Sequence, residues 1–197
     1  MRKVALLSAL AGLLFGSAGE AAERVRLEAR LVAADGAPLA QLPVRIVMGG
    51  GSGAREPTAG RKVTTDGDGR VTLEAETPMK TRRISLDNIF VRYPAQFLEI
   101  GIELDLRGRP ALYWIELDNT REGTAALMKA FVTGPKGRFD RALKFHPDLY
   151  SWSIPDDPQG LMMTGVGAEL KHHEMEGAPG EGWTVRLTLQ KHEFEVR

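Results

Sequence analysis

Apolar and polar residues alternate with a period of two over most of the chain beyond Glu23, the spacing of extended strands that turn one face to a core. Val25, Leu27, Ala29 and Leu31 share one side of a first segment while Arg26, Glu28 and Arg30 share the other, and Asp35-Gly36 supplies a turn. Val44 and Ile46 begin a second strand. It runs into GGGSGAREPTAG, Gly49 to Gly60, whose glycines and proline predict a mobile loop and a contact surface. Lys62 to Thr65, the Asp66-Gly67-Asp68-Gly69 turn, and the stripe of Val71, Leu73 and Ala75 together predict a hairpin. The cleanest stripe is Leu98, Ile100, Ile102, Leu104 and Leu106, opposed by Glu99, Glu103 and Asp105. Arg107-Gly108-Arg109-Pro110 turns it into Ala111 to Leu117, where Tyr113, Ile115 and Leu117 alternate with Trp114 and Glu116, so a long antiparallel hairpin is expected.

Residues 125–132 carry Ala, Leu, Met and Lys, which favour helix by propensity. The Gly134-Pro135-Lys136-Gly137 turn and the extended run from Arg138 to Phe145 decide for a strand instead. Tyr150 to Ile154, Val166 to Met175 and Trp183 to Val196 complete about ten strands with turn signals roughly every 8–12 residues, the rhythm of an all-β antiparallel sandwich. The strands form either one continuous sandwich or two consecutive β units, 23–107 and 108–197. In the last segment Trp183, Val185, Leu187 and Leu189 hold odd positions but Phe194 and Val196 even ones, which predicts a bulge or break near Lys191-His192.

Ahead of the strands, Arg2 and Lys3 precede an uncharged, mostly apolar run from Val4 to Ala18, then small residues including Gly19, Ala21 and Ala22. That is the layout of a bacterial secretory signal peptide over residues 1–22, with cleavage expected after Ala21. The run is too short for a membrane span, which takes roughly 20 apolar residues. A periplasmic or secreted protein is expected. It has no cysteine, hence no disulfide and no lipoprotein anchor. Without Arg2, Lys3 and Glu20 the chain has 24 basic and 25 acidic residues, a formal net charge of −1. The basic residues are scattered, and the densest group, Lys80, Arg82 and Arg83, is expected in a solvated loop. Neither nucleic acid nor anionic lipid is an expected partner.

The stretch VAADGAPLAQLPVRIVM followed by KVTTDGDGRVTLEA resembles the transthyretin-like, or carboxypeptidase-regulatory-like, β-sandwich modules of secreted bacterial proteins, and more loosely the bacterial Ig-like repeats. The resemblance rests on Asp35 to Pro38, on Pro43-Val44 and on Thr64 to Gly69, over residues 25–76. It implies a sandwich fold and a non-catalytic spacer, adhesion or interaction role. Nothing in 110–197 shares it.

Few residues promise chemistry. Asp66 and Asp68 before Gly69 have calcium-loop spacing, but Thr64 and Ala75 stand where an EF-hand needs carboxylates, so a plain turn is expected. Imidazole and thioether ligands suit copper, and His172-His173-Glu174-Met175-Glu176, with Met162, Met163 and His192, contains both. On a regular strand His172 falls beside Val166, Ala168 and Leu170, and His173 beside Glu169 and Lys171. A hairpin with Met175 opposite Thr184 sets His173 against Arg186 and His192 opposite Gly167, about 20 Å from His173 at the strand rise. A copper site would therefore use His173, Met175 and either Met162 or Met163. Tyr150 and Trp152 share one face of a short strand near Asp156-Asp157 and could stack a sugar ring. Ser52 sits among glycines without the strand–turn–helix of a nucleophile elbow. The leading expectation is an exported, non-catalytic binding or structural component of the cell envelope with no cofactor, recognising a protein or envelope component through strand edges and the Gly49–Gly60 loop. Copper binding in the periplasm is one alternative, and a carbohydrate binder or hydrolase is another.

Overall fold

Strands form where the alternation lies. The computed structural model describes residues 22–50, 52–85, 92–106, 109–120, 122–146, 151–153, 162–164 and 166–193. Residues 1–21 of the expected leader lie outside them, as do Tyr150, Asp156, Asp157, Phe194 and Val196. The strands are β1 (Ala22–Val32), β2 (Pro43–Met48), β3 (Arg61–Thr64), β4 (Arg70–Pro78), β5 (Lys80–Ser85), β6 (Arg92–Leu106), β7 (Arg109–Thr120), β8 (Gly123–Thr133), β9 (Phe139–His146), β10 (Ser151–Ser153), β11 (Met162–Thr164), β12 (Val166–Ala178) and β13 (Gly182–Glu193). A 3-10 turn over Ser52–Arg55 lies between β2 and β3. Among the described residues there is no α-helix, and the helix-prone run 125–132 lies within β8.

The strands build an all-β sandwich. A small sheet runs β12-β13-β1-β4, and a large one β11-β10-β9-β8-β7-β6-β2-β3 with β5 beside β6. β1 pairs β13 in parallel, Val25 opposite Trp183 and Leu31 opposite Leu189. Every other described strand pair is antiparallel, including the long β6–β7 hairpin. The inner faces meet in one apolar cluster: Val25, Leu27 and Leu31 with Val185, Leu187 and Leu189 from the small sheet, and Leu98, Ile100 and Ile102 with Tyr113 and Ile115 from the large one. Each large aliphatic side chain in that layer contributes about 1.5–3 kcal/mol of burial. The segments 23–107 and 108–197 both supply strands to both sheets.

The outer face of the small sheet is a lattice of opposite charges set by register. Glu174 and Glu28 flank Arg186 on the two neighbouring strands, and Arg26 stands opposite Glu74. Arg186 lies 2.9 Å from Glu174, 2.8 Å from Glu176 and 3.5 Å from Glu28. The carboxylates of Glu176 and Glu174 hold its guanidinium in the charged form even more firmly than usual.

Four features depart from the sequence expectations. First, the Asp66–Gly69 turn does not close a hairpin, because β3 pairs β2 in the large sheet and β4 pairs β1 in the small one. Asp66 Oδ1 accepts from the N–H groups of Asp68 and Arg70, which fixes the reversal. Thr65, on the near side, is tied to the chain ahead of β2: its hydroxyl accepts from Leu42 N–H and donates to Leu39 O. The turn therefore hands the chain from one sheet to the other. Second, Lys80, Arg82 and Arg83 lie in β5, paired with β6, not in a loop.

Third, β13 shows no irregularity near Lys191-His192; His192 lies opposite Gly167 and Glu193 opposite Val166 without interruption. The register shift sits across the ladder, between Leu170 and His172, which leaves Lys171 as the extra residue of a bulge. Met175 consequently faces Val185 rather than Thr184, and His173 faces Leu187 rather than Arg186, while His192 keeps its expected partner. Fourth, the segment after Gly49 is not a free loop; it folds down onto the large sheet, as described next.

Candidate functional site

Alternation along β6 and β7 produces a second buried surface on the side away from the main core. Val47, Leu112, Trp114, Phe131 and Phe139 cluster there, with Ala54 and Ala59 packed against them. Gly101 makes room for the indole, since a Cβ at that position would stand 3.0 Å from both Leu112 Cδ1 and Trp114 Cε3. Trp114 Nε1 donates to Glu99 Oε1 at 3.2 Å. Residues 52–60 roof this surface. They rejoin the sheet at Gly60, where φ is +82° and a Cβ would fall 2.2 Å from the Ile46 carbonyl oxygen.

Two arginines fasten the roof, in contrasting ways. Arg45, on β2, is only 4% exposed and stands directly opposite Glu103 on β6. Its Nε and Nη2 both lie 2.6 Å from Glu103 Oε2, and its Nη1 donates to the carbonyls of Glu56 and Ala59. Its guanidinium also lies 5.3 Å from the Phe139 ring centroid. A buried cation is tolerable when a counter-charge and acceptors surround it; here Nε and Nη1 have acceptors, while Nη2 has the Glu103 charge beside it without a hydrogen bond of its own. Arg55, on the roof itself, points down, 4.0 Å from the Phe131 centroid and 5.6 Å from that of Trp114. Those ring faces are its partners; among the described residues no acceptor takes its N–H groups. The adjacent Glu56 is spent elsewhere, on Arg138 Nε at 2.8 Å. The arrangement displays a partly exposed, unpaired guanidinium on a rigid aromatic base, a recognition element for an oxyanion.

The residues singled out from the sequence are dispersed. His173 and Met175 share one side of β12, as expected, but it is the inner side and not the polar one with Glu169 and Lys171, because the Lys171 bulge reverses the alternation and leaves His172 exposed. Met175 is 3% exposed and belongs to the main core. His173 Nε2 lies 3.1 Å from Thr124 O, while Thr124 Oγ1 accepts from Met175 N–H at 2.9 Å, so this corner ties β12 to β8. Met162 and Met163 belong to β11, at the edge of the large sheet, whereas β12 is at the edge of the small one. His192 lies 3.4 Å from Glu169, itself 3.0 Å from Lys171. The Lys171 ammonium, with His192 adding to it, holds the Glu169 carboxyl below its usual range. Among the described residues no three His, Asp or Glu side chains gather into a metal-ligating group. Trp152 lies on β10, paired with Phe145 and Met163.

Arg45, Arg55, Glu99, Glu103 and Arg138 were not singled out from the sequence. One signal was available for Arg45: it interrupts Val44-Arg45-Ile46-Val47, a run apolar on both faces of a strand, where a lone charge implies an internal partner. Arg55 carries no such signal, because its ring partners lie far along the chain.

No known family profile matches the chain. No curated protein matches it either. Among solved structures it is similar to the crystal structure of 3-chlorocatechol 1,2-dioxygenase from Rhodococcus opacus 1CP, at 16% sequence identity and a TM-score of 0.34, over 90% of this chain and 62% of that one. The chain thus spans less than two thirds of the length of that structure's chain, and a likeness of this degree carries no argument about activity. No helix among the described residues is long and apolar enough to cross a membrane.

Proposed function

We propose that this chain is an exported, non-catalytic binding or structural module of the bacterial cell envelope, built on a transthyretin-like or Ig-like β-sandwich. The leader-like residues 1–22 and the sandwich support the reading together. The observation that carries it is the connection between β2 and β3: it lies outside the main core, is pinned by Arg45, and holds a partly exposed Arg55 against an aromatic base. Insertions held rigidly on a β scaffold are where such modules meet partners. The test is co-sedimentation of the purified protein with isolated bacterial envelopes. Saturable pelleting is expected, and a protein that stays in the supernatant at every concentration defeats the reading.

Copper binding is the second reading, favoured by the shared face of His173 and Met175. A copper ion there would have to use the His173 nitrogen not facing Thr124 and draw a core methionine outward. Native-state binding must raise the unfolding midpoint, so a saturating copper titration that leaves the midpoint unmoved removes this reading.

A further inference from the structure

We propose that Arg55 is a preformed carboxylate receptor, and that the partner of this module is an envelope polymer bearing carboxylate groups. The inference rests on the binding-module reading and deepens it by naming the contact and its chemistry. A guanidinium presents five donors in a fixed planar fork whose geometry matches a carboxylate edge. Three other arginines held in the fold have acceptors: Arg45 has Glu103 and two carbonyls, Arg138 has Glu56, and Arg186 has Glu174 and Glu176. Arg55 is held as closely, yet only through ring faces, 4.0 Å from Phe131 and 5.6 Å from Trp114. Contact with the ring faces holds the group in place and leaves its N–H groups without an acceptor among the described residues. It therefore removes most of the rotamer freedom that a solvent-borne arginine would lose on binding, while leaving the fork open.

The rest of the site keeps that fork in place. Ala54 and Ala59 pack on the aromatic cluster on either side of Arg55 in sequence, and the Arg45 donations to Glu56 and Ala59 anchor the backbone that carries it. The nearest carboxylate in sequence, Glu56, is diverted to Arg138 and does not quench the charge. Trp114 and Phe131 are buried beneath the guanidinium, 2% and 6% exposed, so a ligand meets the outer edge of Arg55 and not the rings. This favours a charged edge contact over sugar-ring stacking as the mode of recognition.

The side-chain Nε–H resonances of the 15N-labelled protein report the site directly. Sodium acetate, with sodium chloride at matched ionic strength as reference, is expected to move one arginine resonance along a saturating curve. That resonance should be missing in Arg55→Gln, and in Arg55→Lys no resonance should saturate, because an ammonium lacks the fork; the amide spectrum of each variant shows whether its fold is intact. The inference is overturned if no arginine resonance moves beyond the chloride control, if the moving one persists in Arg55→Gln, or if inorganic phosphate saturates it at lower concentration than acetate. Envelope co-sedimentation separates the two levels. Arg55→Gln pelleting about tenfold more weakly than the natural protein supports the inference, and equal pelleting overturns it while the module reading stands. Failure of the natural protein itself to pellet removes the module reading, whatever acetate does.

Discussion

Tyr113 shows how much one hydroxyl can reveal about a core. Its side chain is fully buried on β7, and burial pushes its phenol well above the ordinary value, with the Ala168 backbone acting the other way. The sign follows from linkage: the folded pKa lies above the unfolded one near 10, so only the unfolded chain gains by ionising as pH climbs past about 10. The stability contributed by the neutral phenol is complete below that pH and drains away above it. Tyr113→Phe keeps the buried ring and should change stability by no more than about 1 kcal/mol at pH 7. In urea unfolding the natural protein should then lose about 1 kcal/mol relative to Tyr113→Phe between roughly pH 10 and 11, and a constant difference from pH 7 to 11 would refute the assignment. Arg45 gives the complementary case. Arg45→Met strands Glu103 and the carbonyls of Glu56 and Ala59, and should cost about 3 kcal/mol, the lower end for a broken buried pair, because Glu103 keeps 23% of its side chain exposed. Adding Glu103→Leu should recover most of that loss in the same urea measurement; a double variant no better than the single one would show that the pair is not the unit. Tyr113 as a core residue is legible from its stripe, whereas the partner of Arg45 is not, since register between β2 and β6 is set by distant pairing.

At the scale of one strand, β12 poses a parity problem. Ala168 and Met175 are both buried on the inner side, yet they are an odd number of residues apart, which a regular strand forbids. The extra residue at Lys171 resolves it, and the same reversal places His173 against Thr124 and exposes His172. Deleting Lys171 leaves Ala168 and Met175 six positions apart, the spacing of a regular strand, so both ends should stay inside and unfolding should remain cooperative with the midpoint little changed. Lys171→Ala, which keeps the bulge and loses only an exposed ion pair with Glu169, should change stability by less than about 1 kcal/mol. A deletion variant that loses cooperative unfolding, or falls far below Lys171→Ala, would show that the bulge does more than set which residues face inward. The signal lay in β12 itself, where Ala168 and Leu170 hold even positions and Met175 an odd one; an extra residue shifts the faces of its own strand only, and the slip read in the final strand has no counterpart among the described residues of β13. The Asp66–Gly69 turn teaches a related limit: Asp66 and Gly69 specify a reversal by local hydrogen bonds, while the sheet that each flank joins depends on which neighbours need covering. By contrast, Leu98 to Leu104 were readable outright, because alternation and burial coincide there residue by residue.

For the molecule as a whole, the decisive contact joins its two ends. β1 lies between β13 and β4, so the first described strand occupies the middle of the small sheet and pairs with residues such as Trp183, 158 positions beyond Val25. Parallel pairing needs a connection long enough to return the chain, and here nearly the entire fold serves as that connection. Neither segment can then build the small sheet alone: 22–107 lacks β12 and β13, and 108–197 lacks β1 and β4. In the large sheet the β6–β7 hairpin crosses the same boundary. Each fragment would expose the inner faces of strands whose cover lies in the other, and loop-closure entropy delays the long-range pairs until most of the chain is in place. Expressed separately, 22–107 and 108–197 should each show no cooperative thermal transition and poor amide dispersion, whereas the continuous chain should melt in one step and refold slowly for its size. A cooperative melt from either fragment alone would instead establish two independent units, with β1–β13 pairing as a docking contact between them. The alternation of residues supplied the strands for both architectures; only the partner of β1, which no local spacing encodes, distinguishes them.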